Sequence, residues 1–253
     1  MSFLSQIAKE KEAEVAALLD RGLPKALGAP PVRSLAAALR APGLSAIAEI
    51  KRRSPSQGEL RAAADPAAIA LDYQAKGAAA ISVLTDGPHF GGSIEDLRAV
   101  RSAVDLPVLR KDFLLHPAQL HESRAAGADA VLLIVAMLEA PLFRLLFYAA
   151  EGLGMEVLVE VHDKEELALA LECGATIIGV NNRNLATLEV DLAVAEQLIP
   201  TIPTDRVRVA ESGIQEADDS QRMARAGADA VLVGTRLMKA PSPGDALQAL
   251  LCG

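Results

Sequence analysis

The most regular feature of the chain is a series of short apolar runs of strand length, separated by longer alanine-rich segments with a helical pattern. Aliphatic and β-branched residues dominate these runs, which is typical of strands buried on both faces. The alternation of such runs with helical segments predicts parallel strands joined by crossover helices. The eight predicted strands lie within residues 45–51, 75–86, 106–111, 125–135, 155–161, 172–182, 206–212 and 225–235.

Four of these strands are preceded by similar segments, each with a glycine where a helix would end: Gly77, Gly127, Gly174 and Gly227. These glycines recur at intervals of about 50 residues, roughly two strand–helix units, which indicates a repeating architecture. Neither GxGxxG after the first strand nor GxxxxGK[ST] is present, so a nucleotide-binding open sheet is disfavoured. The pattern predicts an α/β fold, a single (β/α)8 TIM barrel over residues 45–253.

Residues 1–44 precede the first strand and form a predicted N-terminal helical extension. Helices are expected at 2–22 and 34–43, and the apolar face of the first is formed by Leu4, Ile7, Val15, Leu18 and Leu19. The pattern alone favours a plug under the barrel or an oligomer contact over a cap above an active-site mouth.

Composition narrows the setting in which the protein works. The formal net charge of −8 argues against a general affinity for nucleic acid, which requires a basic surface. The longest apolar run, at 131–138, is far shorter than the roughly 20 residues that cross a membrane, and the N-terminus lacks a signal-peptide pattern. Two cysteines without metal-ligand spacing and four scattered histidines predict no metal site. We expect a cytoplasmic protein, independent of membranes, and a monomer.

Polar and charged side chains end several otherwise apolar strands. The active site of a (β/α)8 enzyme lies at the carboxyl ends of its strands. Because side chains alternate along a strand, Glu49 and Lys51 should face the same side, the barrel interior. Isolated salt bridges would explain one pair, but not a set spread over five strands. The candidate catalytic residues are Glu49, Lys51, Lys111, Glu160, Asn181 and Glu211.

A second feature lies after the seventh and eighth strands, where many barrels bind phosphate through backbone N–H groups. Gly213 and Gly234 permit close approach of the main chain to an anion, and each stands beside a hydroxyl residue, Ser212 and Thr235. Ordinary tight turns are the alternative, but two such pairs on adjacent strands favour a phosphate site.

Six motifs follow the strands in order: AEIKRRSPSQG (48–58), VLRKDF (108–113), LVEVH (158–162), IGVNNRNL (178–185), ESGI (211–214) and VLVGTRLM (231–238). Because of these six motifs, the chain resembles the indole-3-glycerol phosphate synthase family over essentially its whole length. The resemblance implies closure of 1-(2-carboxyphenylamino)-1-deoxyribulose 5-phosphate, a small phosphorylated substrate, to an indole with loss of carbon dioxide and water. It implies no cofactor. It also implies that the N-terminal extension covers the substrate. On this ground a cap above the active-site mouth is preferred to a plug under the barrel.

The resemblance also implies roles for the strand-end residues. Lys111 is expected to protonate the ribulose carbonyl as general acid, and Lys51 to contact anionic groups and share the acid role during dehydration. Glu160 is expected to stabilise the cationic intermediate and to remove a proton. An ammonium acid works best with a pKa near neutrality, and we expect Lys51 to lower the pKa of Lys111 in this way.

The remaining implied contacts surround the substrate. Orientation of the catalytic groups and hydrogen bonds to the sugar hydroxyls are implied for Glu49, Asn181 and Glu211. Phosphate contacts are implied for Ser212, Gly213, Gly234 and Thr235. An apolar slot for the anthranilate ring is implied for Pro55, Phe90, Phe113, Leu132 and Leu185, with polar contacts from Ser54, Ser56 and Arg183. Some family members place a tryptophan of the extension against the substrate. This chain has no tryptophan, so Phe3 or Leu4 would have to serve there.

Three alternatives stay open from the sequence. A phosphoribosylanthranilate isomerase would need a cysteine and an aspartate at strand ends, and neither Cys173 nor Cys252 lies at one. A tryptophan synthase α-subunit would have two catalytic carboxylates without a lysine pair. A catalytically inactive barrel that serves as a scaffold would be revealed by a folded protein without activity.

Overall fold

The computed structural model describes residues 3–24 and 28–252, with only the backbone of residues 3–5. Eight parallel strands close into a barrel in which each strand pairs with its neighbours in the sequence, and the first pairs with the last. The predicted (β/α)8 barrel is confirmed. The strands are β1 (Ser45–Ile50), β2 (Ala80–Leu84), β3 (Val108–Lys111), β4 (Ala130–Ile134), β5 (Glu156–Val161), β6 (Ile177–Asn181), β7 (Val207–Glu211) and β8 (Ala230–Val233).

Helices follow the strands and form the outer layer. A two-stranded hairpin, Arg53–Ser54 with Gly58–Glu59, lies after β1 at the barrel mouth. Single 3-10 turns occur at Val135–Met137 and Ile199–Thr201. The α-helices are α1 (Phe3–Arg21), α2 (Leu35–Leu39), α3 (Pro66–Ala75), α4 (Gly87–Phe90), α5 (Ile94–Ala103), α6 (Pro117–Ala126), α7 (Ala140–Gly152), α8 (Lys164–Glu172), α9 (Ala193–Leu198), α10 (Ala217–Ala226), α11 (Thr235–Lys239) and α12 (Pro243–Leu251). None of the helices in these described ranges combines the length and apolarity needed to span a membrane.

The barrel strands are buried on both faces, as their apolar composition predicts. One layer of side chains, including Ile47, Leu109 and Leu158, fills the interior, and a second layer packs between the strands and the helices. The strand register brings strand ends together, because Asn181 of β6 pairs with Glu211 of β7. Polar residues at the carboxyl ends therefore converge at one end of a packed, apolar core.

The sequence repeat corresponds to a repeated hydrogen bond at the opposite end of the barrel. Gly127 and Gly227 end α6 and α10 with left-handed φ angles of 94° and 98°. Two residues later, Asp129 accepts a hydrogen bond from the backbone N–H of Val108, and Asp229 accepts one from Arg208, both at 2.8 Å. The repeated glycine thus ends a helix, and the repeated aspartate accepts a hydrogen bond from the backbone of the neighbouring strand.

The N-terminal extension has two parts at opposite ends of the barrel. Leu35 and Leu39 of α2 are fully buried against the interior layer, and Ser34 and the N–H of Ala36 bind the Glu156 carboxylate at the start of β5. The α2 segment is therefore a plug at the amino ends of the strands. It is shorter than the predicted helix at 34–43.

The first helix lies at the other end. Lys11 of α1 reaches Asp86 and Asp112, which stand just beyond the carboxyl ends of β2 and β3. The predicted apolar face is partly wrong, because Leu18 is buried but Leu19 is 46 % exposed. The side chains of Phe3 and Leu4 lie outside the described residues. The extension therefore supplies both a plug, through α2, and a helix beside the mouth, through α1.

Candidate active site

A cavity of about 560 Å³ opens at the carboxyl ends of the barrel strands. Apart from Phe3 and Leu4, whose side chains lie outside the described residues, every residue predicted above as catalytic or substrate-binding lines it, although their roles stay predictions. The catalytic candidates among its lining residues are Glu49, Lys51, Lys111, Glu160, Asn181 and Glu211. The substrate-binding candidates are Ser54, Pro55, Ser56, Phe90, Phe113, Leu132, Arg183, Leu185, Ser212, Gly213, Gly234 and Thr235.

Lys111 stands at the centre of the charged cluster. Its Nζ lies 2.8 Å from Glu211 Oε2 and 3.7 Å from Glu160 Oε2, so groups from β3, β5 and β7 meet there. Burial works against its charge, but the carboxylates of Glu211, Glu160 and Glu49 outweigh burial and raise the pKa of Lys111. The expectation of a pKa near neutrality is therefore wrong.

Lys51 has its charge compensated by a neighbour on its own strand. Its ammonium forms an ion pair with Glu49, two residues earlier, and both side chains face the cavity. Burial alone would raise the pKa of Glu49, but Lys51 and Lys111 lower it below its usual value. Glu49 is therefore a carboxylate that holds Lys51 in place.

Glu160 is oriented by a hydrogen bond from one neighbour and lies close to a second. Asn181 donates from Nδ2 to Glu160 Oε1 at 2.9 Å, and His162 Nε2 lies 3.5 Å from the same oxygen. Burial opposes the charge of His162, but Glu166 at 3.0 Å and Glu160 raise the pKa of its imidazole. His162 was not predicted as a site residue, although a position two residues after Glu160 is expected on the same side of the strand.

Glu211 has the most perturbed carboxyl in the cluster. Burial, with smaller contributions from Glu160 and Glu49, raises the pKa of Glu211 to about 7 despite the opposing Lys111. Its Oε2 binds Lys111, while its Oε1 has no hydrogen-bond partner among the described residues. The Glu211 carboxyl therefore has a raised pKa and keeps its proton to a higher pH than an ordinary glutamate does.

Two glycines provide the space for these carboxylates. A Cβ on Gly179 would overlap Glu211 Oε1 and lie 3.1 Å from its Cδ. A Cβ on Gly234 would overlap Glu49 Oε1 and lie 2.8 Å from its Cδ. Gly234, predicted only as a phosphate contact, thus also has a packing requirement.

The loop after β7 contains an unusual turn, and the loop after β8 leads directly into α11. Ser212 and Gly213 have successive left-handed φ angles of 63° and 85°, and Ser212 is one of two non-glycine residues with positive φ in the described chain. Asn182 Nδ2 donates to the Ser212 carbonyl at 3.1 Å and fixes this turn. Gly234 immediately precedes α11, whose first residue is Thr235.

Two basic residues of α11 also line this part of the cavity and were missed. Arg236 donates from Nε to the Gln215 carbonyl at 3.0 Å, and Lys239 donates to Gln57 at 2.5 Å. Their positions, three residues apart just after Gly234, could have identified them, because that spacing places two side chains on one side of a helix.

The opposite part of the cavity is apolar. The rings of Phe90 and Phe113 lie with centroids 6.2 Å apart at an angle of 42°. Leu132, Leu185 and Pro55 also line the cavity. The cavity therefore offers hydrophobic contacts to a flat ring and a charged cluster beside them.

Comparison with known proteins decides the family. The family model described as indole-3-glycerol phosphate synthase matches residues 4–250. The chain belongs to the indole-3-glycerol phosphate synthase family. A relative of that name from Mycolicibacterium smegmatis is 49 % identical over 253 residues, which cover 98 % of this chain and 93 % of the relative. Indole-3-glycerol phosphate synthase 1 of Streptomyces coelicolor is 51 % identical over 242 residues, covering 96 % and 89 %.

Solved structures support the fold alone. A thiamine phosphate pyrophosphorylase from Pyrococcus furiosus superposes with a TM-score of 0.61 at 18 % identity, covering 86 % of this chain and 96 % of that chain.

The indole-3-glycerol phosphate synthase family predicted from the six motifs is confirmed. This protein is an enzyme of tryptophan biosynthesis.

Proposed function

We propose that this protein closes 1-(2-carboxyphenylamino)-1-deoxyribulose 5-phosphate to indole-3-glycerol phosphate with loss of carbon dioxide and water, as a carboxy-lyase without a cofactor. The observation that carries the proposal is the position of Lys111. Its ammonium lies between Glu211 and Glu160 in a cavity with an aromatic wall. Such an arrangement supplies an acid, a carboxylate partner and a ring contact within one site.

Ring closure needs an acid at the ribulose carbonyl. As the aromatic carbon that bears the carboxylate attacks the carbonyl carbon, Lys111 gives a proton to the carbonyl oxygen, which becomes a hydroxyl. The raised pKa of Lys111 keeps it protonated before this step. The ring and its nitrogen become positively charged, and Glu160, 3.7 Å from Lys111 Nζ, offers the compensating charge.

Decarboxylation and dehydration complete the reaction. Loss of carbon dioxide leaves its electron pair in the ring and restores aromaticity. A lysine, Lys51 or Lys111, then protonates the new hydroxyl, which leaves as water. Glu160 removes the proton from the carbon next to the nitrogen, and the indole double bond forms. Asn181, which donates to Glu160 Oε1, orients this carboxylate for the transfer.

The shape of the cavity fits the three parts of this substrate. The phosphate lies at the turns that contain Ser212 and Gly234, close to the basic residues of α11. The ring lies against Phe90 and Phe113, and its carboxylate is near Arg183. These two ends place the ribulose carbonyl over the charged cluster, because that cluster lies between them on β3, β5 and β7.

Product formation tests the proposal directly. Purified protein is mixed with the carboxyphenylamino-deoxyribulose phosphate, and indole fluorescence is followed together with released carbon dioxide. The chain has no tryptophan, so its own indole emission does not mask the product. We expect equal amounts of indole product and carbon dioxide. A folded protein that binds the substrate without releasing either product would instead support the scaffold alternative.

We also propose that the enzyme works as a cytoplasmic monomer. All the proposed site residues come from one chain, so no second copy is needed to complete the cavity. A substrate with both a phosphate and a carboxylate stays within its compartment, and both cysteines are free, which suits a reducing environment. Sedimentation of the active protein should give the mass of one chain, with specific activity independent of protein concentration.

A further inference from the structure

A buried lysine of the N-terminal helix lies just behind the apolar slot. Lys11 of α1 is 1 % exposed, and its Nζ lies 2.9 Å from Asp86, 2.9 Å from Asp112 and 2.7 Å from Glu14. Burial opposes its charge, but Asp112 and the other two carboxylates raise its pKa. A charge this deeply buried is stable only with such partners.

Asp86 connects Lys11 to Phe90. One oxygen, Oδ2, accepts hydrogen bonds from the N–H groups of His89 at 2.8 Å and Phe90 at 3.2 Å, and so caps α4. The other oxygen, Oδ1, lies 2.9 Å from the Lys11 ammonium, which is its counter-charge. The cap that orders Phe90 therefore depends on a charge from another helix.

Asp112 connects the same lysine to Phe113. Its Oδ1, the atom next to Lys11, accepts a hydrogen bond from the N–H of Phe113 at 2.8 Å. Its Oδ2 is held by Arg110 at 3.0 Å and by the Thr85 hydroxyl. One ammonium thus lies between the two carboxylates that fix the backbone of both ring-contact residues.

A second side-chain contact joins the same helices. Glu10, the residue before Lys11, lies 2.6 Å from His89 Nε2 of α4. Successive residues of α1 therefore both bind the segment that carries Phe90. Neither lies among the residues that line the cavity, so α1 acts on the slot through its neighbours.

We propose that Lys11 is a positioning residue that couples docking of α1 to the shape of the ring slot. It holds Asp86 and Asp112, and through them Phe90 and Phe113, in the arrangement that receives the aryl ring. This inference rests on the proposed function, since it assigns Phe90 and Phe113 to the anthranilate ring. It predicts that losing Lys11 weakens aryl binding while phosphate binding at the β7 and β8 loops is preserved.

The test compares Lys11→Met with Lys9→Met, the same change at an exposed position of α1. For each, KM of the carboxyphenylamino-deoxyribulose phosphate and the inhibition constant of inorganic phosphate are measured. We expect Lys11→Met to raise KM about tenfold, which corresponds to about 1.4 kcal/mol. The inhibition constant of inorganic phosphate should stay within about twofold of the wild-type value. Lys9→Met should match the wild type in both.

A double variant separates charge compensation from general damage. Lys11→Met leaves Asp86 buried without a counter-charge, whereas Asp86→Asn removes the charge and keeps an oxygen for the α4 cap. Removing both partners of a buried pair is less harmful than removing one. Lys11→Met/Asp86→Asn should therefore recover part of the lost affinity. If Lys11→Met does not fold, Lys11→Gln is measured instead, with the same divergence of the two constants expected.

Failure of the role inferred for Lys11 can be distinguished from failure of the proposed function. A wild type that forms no indole product would contradict the proposed function itself. An active wild type whose KM is unchanged in Lys11→Met would overturn the role of Lys11. Equal increases in KM and in the phosphate inhibition constant would also overturn it, because they would indicate general distortion of the barrel mouth.

Discussion

Glu211 shows how a residue's ionisation depends on neighbours from other strands. Its carboxyl is 1 % exposed and faces two further carboxylates, Glu160 and Glu49, as well as Lys111. Burial raises its pKa to about 7, so the folded protein holds this proton more tightly than the unfolded chain does. Glu211 therefore favours folding below its ordinary pKa near 4.5, and that contribution is lost as the pH rises through about 7.

Glu211→Gln should consequently gain stability relative to wild type as the pH rises. Between pH 5 and pH 8 we expect the difference in unfolding free energy to shift towards the variant by at least about 1 kcal/mol. Urea denaturation at both pH values measures this shift. Glu12→Gln, an exposed change on α1, is the control and should show no such trend. A pH-independent difference for Glu211→Gln would contradict the assigned ionisation.

Gly234 offers a test of the space that Glu49 requires. Gly234→Ala would place a methyl group against the buried Glu49 carboxylate and displace the partner of Lys51. We expect kcat/KM to fall at least about tenfold, or about 1.4 kcal/mol. Gly152→Ala, at the end of α7 where an added Cβ would meet no atom within 4 Å, should retain full activity. An active Gly234→Ala variant would show that Glu49 can move without consequence.

The positions of the site residues were predictable, but their ionisation was not. Alternation along strands places Lys51 and Lys111 at the mouth of the barrel. It does not reveal that Lys51 pairs with Glu49, or that Glu211 lies closer to Lys111 than Glu160 does. These distances depend on how neighbouring strands are staggered. For that reason the expected direction of the Lys111 pKa shift was wrong.

At the scale of elements, the same three residues, Gly-Ala-Asp, follow α6 at 127–129 and α10 at 227–229. Asp129 and Asp229 make the same backbone hydrogen bond, but in different surroundings. Asp129 is 1 % exposed and also holds the N–H of Arg33 and the Arg101 guanidinium, whereas Asp229 is partly exposed and pairs with Arg208. Both aspartates make this hydrogen bond, and the more buried one, Asp129, should contribute more to the free energy of unfolding.

Alanine substitution should reveal this difference. Asp129→Ala leaves a buried arginine and backbone N–H groups without partners, so we expect a loss of about 2–4 kcal/mol in unfolding free energy. Asp229→Ala should cost less, about 1–2 kcal/mol, because water can replace part of its pairing. Urea unfolding of both variants provides the comparison. A larger loss for Asp229→Ala would contradict the assignment.

The extension marks the limit of pattern analysis at this scale. Apolar spacing identified two helices but not the end of the barrel to which each belongs. Leu35 and Leu39 of α2 pack into the barrel at the amino ends of its strands. The side chain that holds α1 at the mouth is Lys11, which stands within a run of charged residues. A charged run is ordinarily solvent-exposed, so Lys11 gave no signal of burial in the sequence.

Across the whole molecule, stability and chemistry lie at opposite ends of the barrel. The α2 plug closes the amino ends of the strands with apolar contacts, and the charged cavity opens at the carboxyl ends. This separation is typical of (β/α)8 enzymes. It was predictable here because five of the eight similar strands end in polar or charged residues at their carboxyl ends.

The plug should therefore affect stability and not catalysis. Leu39→Ala removes a fully buried side chain, and we expect a loss of about 2–4 kcal/mol in unfolding free energy with kcat unchanged at low temperature. Leu19→Ala, at a position 46 % exposed on α1, should change stability by less than about 0.5 kcal/mol. Denaturation and steady-state assays on the same samples measure both. A large fall in kcat for folded Leu39→Ala would contradict this separation.

The central claim is that the Lys111 ammonium is the acid of ring closure, and one measurement tests it most directly. Indole formation is followed for wild type, Lys111→Met, Lys51→Met and the exposed control Lys164→Met. Loss of a general acid typically costs about 10²–10⁴-fold, and we expect kcat of folded Lys111→Met to fall within or beyond that range. Lys164→Met should match the wild type. If Lys111→Met keeps nearly full activity while Lys51→Met loses it, the acid is Lys51 and the assignment of Lys111 is contradicted.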